Sequence, residues 1–78
     1  MNTKTDDSTK SETLADALPR EIARVRDELI PEYESIGAPG ALAIMLMRQA
    51  IAIADRAIME GDTVGMLRSY DSLRGFTG

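Results

Sequence analysis

Along this chain, three stretches of regularly spaced apolar residues are separated by two short breaks and preceded by a start with almost nothing apolar in it. In ALPREIARVRDELIPEYESIG, Leu18, Ile22, Val25, Leu29, Tyr33 and Ile36 recur at steps of three and four. At about 100° per residue they form one narrow stripe, which predicts an amphipathic helix over residues 19–36. Pro19 suits a first helical position, and Glu21 follows in the positively polarised first turn. Pro31 removes the bond to the Asp27 carbonyl and crowds that turn. It lies nearly opposite the stripe, whose phase Tyr33 and Ile36 keep, so the helix is expected to bend at Pro31 and continue. GAPG at 37–40 reads as a turn; it lacks the further glycine spacing and the Lys with Ser or Thr of a phosphate-cradling loop.

The second stretch, ALAIMLMRQAIAIADRAIME, predicts a helix over residues 40–60. Its apolar arc spans roughly 200°, about twice the usual amphipathic width, with Ala43, Ala50, Ala54 and Ala57 between ridges of larger side chains. Such a seam admits a close neighbour, and so wide an arc implies more than one. Leu42, Ala43, Leu46, Met47, Ala50, Ile51, Ala54, Ala57 and Ile58 are therefore the expected self-association surface of a homodimer. The competing reading is that the chain's own first and third helices cover both ridges. A transmembrane span is a poor reading, because Arg48, Gln49, Asp55 and Arg56 interrupt the apolar positions. Gly61 is placed to close this helix in a left-handed conformation and Asp62 to cap the next. TVGMLRSYDSLRG then predicts a helix over 63–74 with Met66, Leu67, Tyr70, Leu73 and the Arg74 stem on one side. Gly75 is its expected stop and Phe76 folds back beyond it.

The opening MNTKTDDSTKSET cannot recover its ordering entropy by burial, so residues 1–15 are expected to be a disordered polar tail and residues 16–78 the helical domain. The tail has no apolar core of a signal peptide and too few lysines for an electrostatic membrane anchor. Of 78 residues, only about sixty are left to fold, which is a thin core. With no cysteine and no histidine, neither a disulfide framework nor an ordinary structural metal site can reinforce it. Association with a second copy would supply the missing apolar area. The absence of disulfide chemistry favours a cytoplasmic setting.

A formal charge of −4 gives no long-range attraction to phosphates or anionic lipids, so neither nucleic acid nor membrane is an expected partner. The same missing residue types remove the usual nucleophile–base pairs and metal triads, leaving carboxylates as the only enzymatic candidates. Glu28 and Glu32, four apart, could act as an acid and base pair, but such a pair is equally a solvated helix face, and no catalytic, cofactor or metal residue is assigned. Ala57 and Gly61 share the spacing of a helix-turn-helix. Arg56, Glu60 and Asp62 stand where that motif wants apolar residues, so a plain helical hairpin is the better account.

The segments LPREIARVRDELIPEYESIGAPG and AIMEGDTVGMLRSYDSL, which together span residues 18–74, resemble short uncharacterised helical proteins of bacterial genomes, some carried by phage or mobile elements. The resemblance implies a cytoplasmic accessory protein and brings no established function with it. The sequence thus points to an all-α fold: three antiparallel helices in a bundle-like domain. Its expected role is that of a non-enzymatic protein-interaction module without cofactors, a homodimer or the binder of an unidentified protein. A small DNA-binding or transcription-modulating protein is the alternative.

Overall fold

A computed structural model describes residues 13–77 of the chain. Three helices in up-down-up order make up the domain, joined by turns too short for anything but antiparallel neighbours. The expected tail lies mostly outside the described residues. Its last three positions are ordered, however, and helix α1 (residues 14–34) starts at Leu14, ahead of the Pro19 start read from the sequence. Thr13 is the reason. Its Oγ1 accepts from the Asp16 N–H at 3.2 Å and donates to Asp16 Oδ2 at 2.9 Å, a reciprocal cap that satisfies a first-turn donor. Pro19 is carried inside the helix.

α1 continues through Pro31, but by a route the 3.6-residue period does not contain. After the α-helical Leu14–Arg24, the backbone widens into a π turn over Val25–Leu29, then returns to α-helix over Ile30–Glu34. The Ile30 N–H reaches back five residues to the Val25 carbonyl. The wider turn ends with only Ile30 between it and Pro31, which has no N–H to donate and a ring that crowds the preceding turn. One extra residue in a turn also rotates everything beyond it. The buried line therefore runs Leu18, Ile22, Val25, Leu29 and then Ile30. Tyr33 is only half-buried, and Ile36, expected in the stripe, is 56% exposed beyond the helix end.

Gly37, at φ 84°, opens the turn, which closes as a short 3-10 segment, Ala38–Gly40, leading into helix α2 (Ala41–Glu60). Gly61, at φ 64°, ends α2 in the left-handed region where a Cβ is costly. Asp62 then caps helix α3 (Thr63–Arg74) by accepting from the Gly65 N–H at 3.0 Å. Ala57 of α2 faces Gly65, while Ala50 shares a groove with Ser72. α2 and α3 therefore lie antiparallel along their length as a hairpin.

The core contains Leu18, Ile22, Val25, Leu29 and Ile30 of α1, Met47 and Ala54 of α2, and Leu73 of α3. α3 turns its Met66, Ser69, Tyr70 and Leu73 side inward, and Leu67, expected there, is 53% exposed. One residue step is a 100° rotation, enough to move a side chain from the core to water. Phe76 folds back onto the core, as its position after the helix suggested, although Gly75 keeps an ordinary φ of −73°. The Arg24 guanidinium secures this ending, donating through Nη2 to the carbonyls of Leu73 at 2.9 Å and Phe76 at 3.2 Å. The Tyr33 hydroxyl donates to the Thr77 carbonyl at 2.6 Å.

Candidate interaction face

α2 is 20 residues long and α3 only 12, so α3 itself spans only part of one α2 flank. α1 covers the other flank: Arg48 of α2 pairs with Glu34 at 3.3 Å, and Ile51 of α2 shares a cleft with Ile30. Between the two flanks an apolar strip of α2 faces water. Leu42, Met45, Leu46 and Ile53 project from it, each between 46% and 63% exposed. Their spacing puts them, with the exposed Gln49, inside an arc of about 100°. Isolated exposed apolar residues are ordinary; these four instead form a contiguous strip along one helix.

The self-association surface expected from the sequence is thus divided by the fold. Leu42, Leu46 and Ile58 are exposed. Met47, Ala54 and Ala57 are buried inside the chain, and Ala43, Ala50 and Ile51 are half-buried against the core. The alanine seam admits close neighbours, as its small side chains imply, but those neighbours are α1 and α3 of the same chain. Met45, Gln49 and Ile53 were not in the expected set. The heptad-like spacing Leu42, Met45, Gln49 was visible, but the buried arc was equally apolar and masked it.

Beside the strip, a groove of about 250 Å³ between α2 and α3 is lined by Ala50, Ile53, Gly65, Arg68, Ser69 and Ser72. Ser69 is 4% exposed and its Oγ has no hydrogen-bond partner, a rare condition for a buried hydroxyl. A second, open cleft of about 410 Å³ between α1 and α2 has an apolar floor of Ile30, Pro31 and Ile51 with Arg26, Glu34 and Arg48 at its rim. Both arginines already have carboxylate partners. Arg26 holds Asp27 bidentately, through Nε at 2.8 Å and Nη2 at 3.0 Å, and this bond holds the Asp27 carboxyl below its ordinary range. The same bond raises the Arg26 guanidinium. Each acid at this cleft neutralises a base, so the cleft offers little net charge to an ionic ligand.

Glu28 and Glu32 are both exposed on α1. No group of three or more acidic, histidine or cysteine side chains able to hold a metal ion occurs among the described residues. Among those residues no helix is long and apolar enough to cross a membrane. On α3, Arg68, Asp71 and Arg74 are exposed, and the Arg74 guanidinium lies 5.6 Å from the centre of the Tyr70 ring. The α2–α3 hairpin differs from the steep crossing by which a helix-turn-helix presents its second helix to a groove.

Fold and surface together define a small all-α protein whose most developed surface feature is an uncovered apolar helix strip. Compared with known family models, curated proteins and solved structures, the chain matches none. Its functional reading therefore rests on its own geometry.

Proposed function

We propose that this protein is a non-enzymatic helical interaction module that associates with a second copy of itself through the outer strip of α2, acting as a cytoplasmic accessory protein of the kind its sequence resemblance implies. The carrying observation is the line of Leu42, Met45, Leu46 and Ile53, all substantially exposed on one side of one helix. With no disulfide available and a core of few side chains, covering this strip is a large apolar gain open to the chain. At roughly 25 cal/mol per Å², burying what remains exposed of these four side chains in both copies contributes on the order of 20 kcal/mol before the cost of association.

Light scattering or sedimentation across a concentration series tests this. The expected result is roughly twice the chain mass, with Leu46→Glu returning the protein to one chain mass while its helical circular dichroism is retained. Ala50→Glu is less discriminating, because half-buried Ala50 lies against the core and its substitution damages the fold as well. A monodisperse monomer at high micromolar concentration would remove the reading.

A further inference from the structure

The strip has an internal order that specifies how a second copy meets it, an inference that rests on the self-association proposed above. Gln49 is the single polar side chain in the middle of the apolar strip, with Met45 and Leu46 a turn before it, Ala52 and Ile53 a turn after, and Leu42 and Arg56 two turns away on either side. We propose that two copies pair α2 with α2 in antiparallel orientation about a two-fold axis at Gln49. A two-fold contact must be self-complementary. An amide satisfies that condition on an axis, because it carries both donor and acceptor and can exchange reciprocal hydrogen bonds with its own copy.

The residues on each side complement one another in the same arrangement. Position 46 of one copy meets position 53 of the other, so Leu46 packs on Ile53 beside the Ala50–Gly65 groove. Position 45 meets position 52, setting a large methionine against a small, exposed alanine. A parallel pair would instead set Met45 against Met45, a crowded contact, and place the Arg56–Glu60 ion pair, 3.4 Å long, against its own copy with arginine facing arginine. An axis at residue 49 also lies near the middle of Ala41–Glu60, so the two helices overlap along most of their length. The exposed parts of the strip amount to about 500 Å² per copy, and two copies together reach the roughly 1,000 Å² that a specific interface needs.

The full chain contains no cysteine, so single-cysteine variants report proximity without background. Under mild oxidation with oxidised glutathione, Gln49→Cys is expected to form disulfide-linked dimers on a non-reducing gel. Leu42→Cys alone is expected not to, because its two copies would lie about 21 Å apart along the helix axes, well beyond the roughly 7 Å that a disulfide spans between Cα atoms. A mixture of Leu42→Cys and Arg56→Cys chains is expected to cross-link as a mixed pair. Self-linking of Leu42→Cys as readily as Gln49→Cys would show a parallel pair and overturn the antiparallel axis. Failure of Gln49→Cys to link, in a chain that still sediments as a dimer, would overturn the axis and leave self-association standing. A monomer by sedimentation would remove both.

Discussion

Gly65 tests whether packing or local propensity governs α3. It is the third residue of that helix, and by propensity alone Gly65→Ala would stabilise the protein by about 1 kcal/mol. The structure argues for the opposite sign. A Cβ built at Gly65 would overlap Asp62 Oδ2, lie 2.9 Å from Asp62 Cγ and come within 3.3 Å of the Ala57 Cβ. The carboxylate would have to swing away, giving up its 3.0 Å bond from the Gly65 N–H, a cap worth about 1 kcal/mol. Ala57 is buried on α2 and would have to yield as well, an overpacking cost of roughly 1–3 kcal/mol. The net expectation is destabilisation of roughly 1–3 kcal/mol, a fall in thermal midpoint on the order of 10 °C for a domain of this size. Thermal unfolding followed by far-ultraviolet circular dichroism reads it, at one fixed protein concentration because the proposed self-association would make the midpoint concentration-dependent. In an Asp62→Ala background the cap is already lost, so the same substitution should cost about 1 kcal/mol less. A midpoint raised by Gly65→Ala, or strict additivity with Asp62→Ala, would refute this account.

Ser69→Ala should stabilise by about 1–2 kcal/mol, since it removes a buried hydroxyl without a partner and introduces a better helix former; a lowered midpoint would mean the hydroxyl is satisfied in solution. Arg24→Met should cost about 1–3 kcal/mol and speed hydrogen exchange around residues 74–77, because two carbonyls at the end of α3 lose their donor. Unchanged exchange there would show that the guanidinium does not hold the C-terminal turn. Val25→Asp puts a charge at a fully buried site in the centre of the α1 stripe and should cost on the order of 4 kcal/mol or more, abolishing cooperative unfolding. A melt within a few degrees of the parent chain would contradict the core assignment.

Much of the fold was legible because the signals are local. The first four residues of the α1 stripe, the glycines at 37 and 61 and the Asp62 cap each follow from the backbone preferences or periodicity of a few neighbouring residues, and the structure places them accordingly. The Thr13–Asp16 cap is equally local, present as Thr-x-x-Asp, but Pro19 offers a second plausible start three residues beyond Asp16, and the chain uses the first. Pro31 is legible as a disturbance that the helix survives, but the form of that disturbance is not accessible from the sequence. A periodic reading assumes a fixed 100° per residue and cannot foresee an inserted π turn, so it carried the stripe on to Tyr33 and Ile36 when the extra residue had brought Ile30 into the core.

The candidate face shows the other limit. α2 is apolar over such a wide arc that its polar positions, among them Arg48, Gln49, Asp55 and Arg56, do not say which part of that arc is the interior. That choice was made elsewhere, by where α1 packs, by the close approach of Gly65 and Ser69 to the alanine seam, and by the shortness of α3. The small residues went inward because two helices of the same chain can approach each other closely only across small side chains. Leu42, Met45, Leu46 and Ile53 were left outside because no third neighbour exists within the described residues to cover them. The sequence by itself determined that α2 must have more than one partner; the tertiary structure decided which flanks its own chain could fill and which it left exposed.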